Sequence, residues 1–307
     1  MSIFDKQVNR RGSGSYKWDE IREDGVIPLW VADMDFEAST AIKKALTRRV
    51  EHGVFGYTEV DEEYYDAIIS WQRRRHQWEI ERNWILYTSG VVPAVSCCIK
   101  ALTLPGDKVV VMTPVYNCFF SSIRNQGCEI AESKLIRKGD SYIIDWDDFE
   151  RQCRDERTTV FLLCNPHNPV GRVWTRDELE RMGEICRRHN VRVISDEIHC
   201  ELTMPGYSFI PFAAVNEENL RNSVTLNAPS KAFNTAGLQN AYLICSDNVM
   251  RHRINRVINI YEVCDVNPFG VEGLKAAYND SEDWLDELRG YIQENYNLLK
   301  ETFAKEL

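Results

Sequence analysis

Short apolar segments alternate with longer amphipathic ones through the middle of the chain. Six of these apolar segments predict the strands of a buried sheet: 84–87, 108–112, 159–164, 191–194, 223–226 and 241–245. The stretches between them have helical periodicity, and Thr175 with Glu178 forms a capping box that predicts a helix running to about residue 189. Such alternation predicts an α/β fold, in which crossover helices join the strands of a mainly parallel sheet.

The segments on either side of this region differ from it. Residues 1–45 predict an arm and a linker, and the periodicity beyond residue 247 predicts helices over 248–262, 271–278 and 281–303. The last helix has an apolar stripe made of Trp284, Leu285, Leu288, Ile292, Leu298 and Leu299. Since nothing before Leu307 would cover this stripe, we expect a partner or a further C-terminal segment to do so.

Composition excludes several functional classes. The chain has 307 residues, of which 44% are apolar and 27% charged, as in ordinary globular proteins. This length allows about two domains, or one large domain with a satellite. The net charge of -10 argues against nucleic acid or an anionic membrane as the main partner, because both require a basic face. No stretch resembles a signal peptide or a membrane span, so neither is predicted.

The cysteines and histidines predict neither disulfides nor a metal site. Ten cysteines are scattered along the chain without any Cys-x-x-Cys pair. Reduced thiols, and with them a cytoplasmic location, are therefore the prediction. The six histidines also lack the close spacing that clamps zinc on one element, so no metal is predicted.

The first candidate loop follows the strand predicted at 84–87. Gly90 precedes a predicted helix with Pro93 in its first turn. Free backbone N–H groups at Gly90, Val91 and Val92, together with the positive end of the helix, would bind an anion such as phosphate. An ordinary connection between a strand and a helix is the alternative.

Two further loops follow the strands predicted at 108–112 and 159–164. Tyr116 lies in an aromatic-rich turn, where its ring would either stack on a planar cofactor or join a core aromatic cluster. Asn168 lies in the segment Asn-Pro-His-Asn-Pro-Val-Gly, in which each proline restricts the residue before it and so orients a polar side chain. A plain connecting loop is the alternative for this segment.

An acid and an amine follow the strands predicted at 191–194 and 223–226. Asp196 ends an apolar strand, where a carboxylate is costly unless it meets a cation; capping a helix is the alternative. Lys231 lies in a loop of small residues after the next strand, where a lysine held rigidly and partly desolvated would form a Schiff base. A solvated surface lysine is the alternative. Taken together, the five loops suit a phosphorylated, planar, cationic heteroaromatic aldehyde.

At these residues the chain resembles the fold-type I pyridoxal phosphate enzymes, and within them the MalY/PatB group of C–S lyases related to aminotransferase class I/II. The resemblance lies in segments such as Val-Ala-Asp-Met-Asp-Phe at 31–36, Asn-Pro-His-Asn-Pro-Val-Gly at 165–171, Ser-Asp-Glu-Ile-His at 195–199 and Ala-Pro-Ser-Lys-Ala-Phe-Asn at 228–234. It extends over essentially the whole chain. The implied fold has a mainly parallel central sheet with helices on both faces, and an incomplete small domain.

The resemblance implies a role for each candidate residue. Lys231 would hold pyridoxal 5′-phosphate covalently and move the Cα proton of the substrate. Asp196 would keep the pyridine nitrogen protonated. Tyr116 would stack on the ring, and Asn168 would donate a hydrogen bond to its phenolic oxygen. His199 stands where many aminotransferases have a tyrosine that contacts the same oxygen.

The resemblance also implies how the phosphate is bound. Backbone groups of Gly90, Val91 and Val92, with Ser230 nearby, would hold it within one subunit. Tyr57 would reach the phosphate of a neighbouring subunit, so a homodimer is expected.

The implied reaction is α,β-elimination from a cysteine-S-conjugate such as cystathionine, which gives a thiol, pyruvate and ammonia. Amino transfer is the alternative within the same family, because both reactions begin with loss of the Cα proton. A truncated, catalytically impaired module that binds the cofactor or another protein is the alternative of a different class.

Two features depart from the pattern of the group. Asn117 follows Tyr116, where a second tyrosine is usual. The arginine that binds the substrate carboxylate in such enzymes lies in a segment beyond Leu307, and no residue here is an evident replacement. The expected layout is an arm with part of the small domain at 1–45, a large cofactor-binding domain at 46–270, and a linking helix that starts the small domain at 271–307.

Overall fold

The structure is a computed structural model that describes residues 2–21, 23 and 25–304. Within these ranges one sheet has the strand order β1-β9-β8-β7-β6-β2-β3, and a separate hairpin pairs β4 with β5. The strands are β1 (Ile85–Thr88), β2 (Lys108–Thr113), β3 (Glu129–Lys134), β4 (Ile136–Lys138), β5 (Ser141–Ile143), β6 (Thr158–Cys164), β7 (Arg192–Asp196), β8 (Ser223–Asn227) and β9 (Ala241–Ile244). Leu307 lies outside the described residues.

The sheet is mainly parallel. Strands β3, β2, β6, β7 and β8 run in one direction. Strand β9 is antiparallel to both β8 and β1, so β1 runs in the same direction as β8. The six strands of this sheet other than β9 therefore end at the same edge.

Helices cover both faces of the sheet. They are α1 (Tyr16–Asp19), α2 (Thr40–His52), α3 (Glu62–His76), α4 (Val91–Leu102), α5 (Asn117–Asn125), α6 (Trp146–Arg154), α7 (Arg176–Arg188), α8 (Glu217–Arg221), α9 (Asn248–Ile260), α10 (Pro268–Asp280) and α11 (Glu282–Phe303). Alternate residues of a strand enter different cores: Val109 and Val111 pack with α4 and α9, whereas Val110 and Met112 pack with α6 and α7. This period of two is what a sheet buried on both faces requires.

A third core joins the two ends of the chain. Side chains of α2, α3, α10 and α11 pack there against the outer strands β1 and β9. Trp71 of α3 stacks on Tyr278 of α10, with ring centroids 4.6 Å apart and planes 7° apart. The N-terminal half of α11 belongs to this core through Leu285 and Leu288, whereas Leu298 and Leu299 are exposed.

The structure confirms the α/β fold and the strands and helices predicted from the pattern. The capping box of Thr175 and Glu178 is present at the start of α7. Strand β3 was missed because it is an edge strand, in which exposed Glu129, Glu132 and Lys134 hide a short apolar pattern. Among the described residues, no helix is both long and apolar enough to cross a membrane.

Candidate active site

The five predicted loops lie along one edge of the sheet. They follow β1, β8, β7, β6 and β2, in that order across the sheet, with only the antiparallel β9 intervening. Because these five strands run in the same direction, the loops that bear Gly90, Lys231, Asp196, Asn168 and Tyr116 meet at their carboxyl ends. Residues separated by as many as 141 positions in the sequence are thus brought to one crevice.

Asp196 is a buried carboxylate without a countercharge in direct contact. Its side chain is 5% exposed, and among the described residues its one hydrogen bond comes from the N–H of Ile198, 3.2 Å away. Burial raises the pKa of Asp196 to about 7, against the opposing effects of the Ile198 amide and of the Lys231 charge. The helix-capping alternative is wrong, since the next helical turn begins at Cys200 with His199 as its N-cap.

Lys231 lies in a compact turn that follows β8. The turn is closed by hydrogen bonds from the N–H of Phe233 to the carbonyl of Pro229, and from the N–H of Thr235 to the carbonyl of Ser230. Lys231 is half-buried, and its amine bonds to none of the described residues. A half-buried amine without a bound acid is available to react with a carbonyl compound.

His199 lies close enough to sense the charge of Lys231. Burial and, after it, that charge lower the pKa of His199 to about 4, so the imidazole is neutral at neutral pH. Burial is the main reason why the pKa of the Tyr116 phenol is raised, and the nearby charge of Asp196 raises it further. The four predicted groups therefore share one electrostatic environment.

Tyr116 and Asn168 lie in neighbouring loops. The Tyr116 ring is half-buried and packs edge-on against Phe119 at 6.0 Å, so it is both part of the core and partly open. The N–H of Asn168 donates to the thiol of Cys164, 3.3 Å away, while its side chain is only partly buried. Asn117 is the first residue of α5 and is exposed.

The N-terminus of α4 is open. No side chain caps it, and the first N–H bonded inside the helix is that of Ala94, which donates to the carbonyl of Gly90 at 3.0 Å. The N–H groups of Val91 and Val92 thus have no partner in the helix. A Cβ at position 90 would crowd the Pro93 ring at 3.3 Å, so glycine suits the start of this helix.

Tyr57 is not part of this crevice. Its side chain is 105% exposed and projects from the segment between α2 and α3. Within one chain, the predicted site residues other than Tyr57 lie in the loops at this edge of the sheet.

Several residues that support the site were not predicted. Glu197, beside Asp196, is 1% exposed and accepts hydrogen bonds from the hydroxyl of Ser195 and the N–H of Phe212. Burial raises its pKa to about 8. Asn234 exchanges hydrogen bonds with the backbone of Met34 and so ties the Lys231 loop to the N-terminal segment. Its φ is +55°, a conformation that asparagine tolerates, but the sequence alone does not show this.

A cluster of His76, Cys200 and Glu201 places three potential metal-ligating atoms within 4.8 Å of one another. It was missed because His76 lies 124 positions before the adjacent Cys200 and Glu201. The carboxylate of Glu201 is already bound by the indole N–H of Trp71 at 2.6 Å and by His76 at 2.7 Å, with Arg75 at 3.6 Å. These donors explain the burial of Glu201 as part of a hydrogen-bonded network between α3 and the segment that follows β7.

The donor set of the crevice fits pyridoxal phosphate. The open N-terminus of α4 suits a dianionic phosphate, and the Asp196 carboxylate lacks the cationic N–H partner that its burial calls for. The free amine of Lys231 suits an aldehyde, and the neutral His199 adds no competing positive charge.

Comparison with known proteins identifies the family of this chain. The aminotransferase class I and II profile matches residues 24–306. The chain belongs to the aminotransferase class I and II family. It is 42% identical to cystathionine beta-lyase PatB of Bacillus subtilis, over 99% of this chain and 80% of PatB. It is 32% identical to protein MalY of Escherichia coli, over 96% of this chain and 76% of MalY.

A solved structure extends this similarity to the fold. Cystalysin from Treponema denticola, which contains a pyridoxal 5′-phosphate cofactor, superposes with a TM-score of 0.95 at 35% identity. The match covers 98% of this chain and 78% of cystalysin. The fold is accordingly that of the fold-type I pyridoxal phosphate transferases, as the resemblance implied.

Proposed function

We propose that this protein is a pyridoxal phosphate-dependent C–S β-lyase, which eliminates the thiol from a cysteine-S-conjugate such as cystathionine. The observation that carries the cofactor is the presence of a buried, unneutralised Asp196 and the free amine of Lys231 at one sheet edge. The family and the similarity to cystathionine beta-lyase PatB support it.

Each residue of the crevice has a task in this proposal. Lys231 would bind the cofactor aldehyde, and its amine would then accept the Cα proton of the substrate. Asp196 would hold the proton on the pyridine nitrogen, and the ring so protonated withdraws electrons from Cα when the cofactor is bound. Tyr116 would pack on the ring face, and Asn168, with His199 nearby, would bind the phenolic oxygen.

The phosphate would be held at the open end of α4. The N–H groups of Val91 and Val92 would donate to it, together with the backbone of Gly90, and the hydroxyl of Ser230 would lie nearby. In the overall reaction the Cα–H and Cβ–S bonds of the substrate break and the sulfur leaves as a thiolate. Water then releases the rest of the substrate as pyruvate and ammonia.

The assay that separates lyase from aminotransferase uses one substrate and two products. Protein supplied with pyridoxal phosphate is incubated with cystathionine while pyruvate is measured, and in parallel with a keto acid acceptor while the corresponding amino acid is measured. We expect pyruvate to be the main product. Amino transfer without pyruvate would show that the lyase assignment is wrong.

Lys231→Ala is the matching control. We expect this variant to lose both pyruvate release and the visible absorbance of the bound cofactor, because the reacting amine is gone. Cofactor absorbance without either product would instead indicate a binding module that does not catalyse. Wild-type protein that takes up no cofactor would contradict the whole proposal.

We also propose that the active form is a homodimer in the cytoplasm. Exposed apolar side chains next to Tyr57 in the sequence support the dimer: Val54 is 63% exposed and Phe55 57%. In this arrangement Tyr57 would reach the phosphate of the neighbouring subunit. The ten free cysteines, most of them buried, support a reducing compartment.

A further inference from the structure

His167 connects the two loops that bear Tyr116 and Asn168. Its Nε2 lies 3.0 Å from the carbonyl oxygen of Pro114, which precedes Tyr116 by two residues. His167 itself immediately precedes Asn168. A carbonyl can only accept, so Nε2 carries the proton and donates.

The backbone pairing of β2 with β6 is short. Strands β2 and β6 pair at three positions, of which the last is Val110 with Phe161. Beyond these residues β2 continues to Thr113 beside β3, and β6 continues to Cys164 beside β7. The bond from His167 to Pro114 therefore links the segments that follow β2 and β6, beyond the last of these residue pairs.

The imidazole is fixed on its other sides. It is 3% exposed and packs edge-on against Trp174 at 5.3 Å, and Trp174 donates its indole N–H to the carbonyl of Cys164. The backbone N–H of His167 bonds to the carbonyl of Arg172, which closes the turn around Asn168. Burial lowers the pKa of His167, so the ring is neutral.

Packing alone does not account for a histidine here. Its Nδ1 is buried and has no hydrogen-bond partner among the described residues. Burying an unsatisfied acceptor costs stability, and an apolar residue of similar size would avoid that cost. What an apolar residue would lack is the Nε2–H that holds Pro114.

We propose that His167 is a positioning residue, whose bond to Pro114 sets the Tyr116 ring and the Asn168 amide at the distance that one flat cofactor requires. This inference rests on the proposed function, since it assigns the two loops to pyridoxal phosphate. His167 acts through Tyr116 and Asn168 and does not itself touch the reacting atoms.

Two substitutions separate positioning from packing. In His167→Gln the amide Nε2 stands as many bonds from Cβ as the ring Nε2 does, so it can still donate to Pro114. His167→Leu fills the space without a donor. His189→Leu, at the C-terminus of α7, is a control for loss of a histidine away from the crevice.

The first measurement is made on protein reconstituted with pyridoxal phosphate. For His167→Leu we expect about tenfold weaker cofactor binding and a shifted pH midpoint of the visible absorbance, as loss of one hydrogen bond predicts. We expect kcat to fall more than KM rises. His167→Gln should recover the wild-type values within about twofold, because its donor is retained.

The second measurement uses the cofactor-free protein and hydrogen–deuterium exchange. We expect residues 113–120 to exchange faster in His167→Leu than in wild type, and His167→Gln to behave as wild type. This comparison decides the inference even if wild-type protein binds no pyridoxal phosphate, a result that would contradict only the proposed function.

Two results would overturn the inference. One is His167→Leu with wild-type cofactor affinity, absorbance midpoint and exchange. The other is equal loss in His167→Leu and His167→Gln, together with a lower unfolding temperature in both, which would show that the ring only fills space.

Discussion

Asp196 and Glu197 are adjacent acids, both buried at the end of β7, without an ion pair to either among the described residues. Asp196 has a pKa of about 7 and Glu197 of about 8, mainly because of burial. In the unfolded chain both ionise at a much lower pH. The folded protein therefore holds more protons than the unfolded one in the range between, and its stability falls as the pH rises through that range.

We expect Asp196→Asn to stabilise the cofactor-free protein at pH 8 by about 2–4 kcal/mol, since the substitution removes the cost of ionising a buried acid. The gain should shrink as the pH falls below 7 towards 4, because Asp196 is then protonated in the folded state and only about half ionised in the unfolded chain. Urea unfolding at several pH values measures it. Asp66→Asn, on the exposed face of α3, is the control, and an equal gain at pH 4 and pH 8 would contradict the explanation.

The same substitution should stabilise the cofactor-free protein but impair the protein that holds the cofactor. Asp196→Asn cannot hold the proton on the pyridine nitrogen, so we expect weaker cofactor retention and a loss of turnover of several orders of magnitude. Dialysis followed by absorbance, with pyruvate release, measures both. Near-normal turnover would mean that Asp196 serves only to bond the Ile198 amide.

At the residue scale, sequence reasoning found the groups whose chemistry is unusual for their position. Asp196 and Lys231 could be predicted because an acid or an amine at the end of an apolar strand is costly to bury unless it has a partner. His167 could not be assigned its bond, because Pro114 is 53 positions away and only the fold places the two together.

At the element scale, α7 and α8 pack through a contact that allows only glycine. A Cβ at Gly183 would lie 1.9 Å from Oδ1 of Asn219. Asn219 is fully buried and donates to the carbonyls of Leu179 and Phe212, so it cannot move aside without losing these bonds. Close approach of these helices therefore depends on the missing side chain.

Gly183→Ala should lower the free energy of unfolding by about 1–3 kcal/mol, as overpacking does. Gly290→Ala is the matched control, because that glycine lies within α11 and nothing is within 4 Å of a Cβ there. We expect the control to stabilise by about 0.5–1 kcal/mol, since alanine favours the helix. Equal effects in urea unfolding would refute the packing explanation.

Most helices and strands could be predicted from periodicity, since each buried face repeats with its own period. What the pattern could not supply was the strand order. Nothing in the segment 241–245 indicates that β9 lies between β1 and β8 and runs antiparallel to both. The pattern also did not predict the edge strand β3, because one face of this strand is polar and exposed.

At the scale of the whole molecule, the proposed dimer can be tested by complementation. Lys231→Ala keeps Tyr57 and loses the reacting amine, whereas Tyr57→Ala keeps the amine and loses the exposed ring. If each site uses Tyr57 of the other subunit, a mixed dimer has one complete site. Equal mixing after joint refolding should then restore roughly one quarter of the wild-type pyruvate release.

Each variant alone should have little activity. Absence of recovery in a mixture shown by sedimentation to contain mixed dimers would place Tyr57 outside the neighbouring site. A monomer at all concentrations would contradict the dimer itself.

The pairing of β1 with β9 also constrains how the protein is made. Leu86 of β1 pairs with Leu243 of β9. More than half of the chain must therefore be synthesised after β1 before this strand, and the Gly90 loop that follows it, can join the sheet. Lys231, too, is translated long after Gly90. A cofactor that needs both ends of the crevice cannot stabilise a partly synthesised chain, and its binding energy favours only the finished sheet.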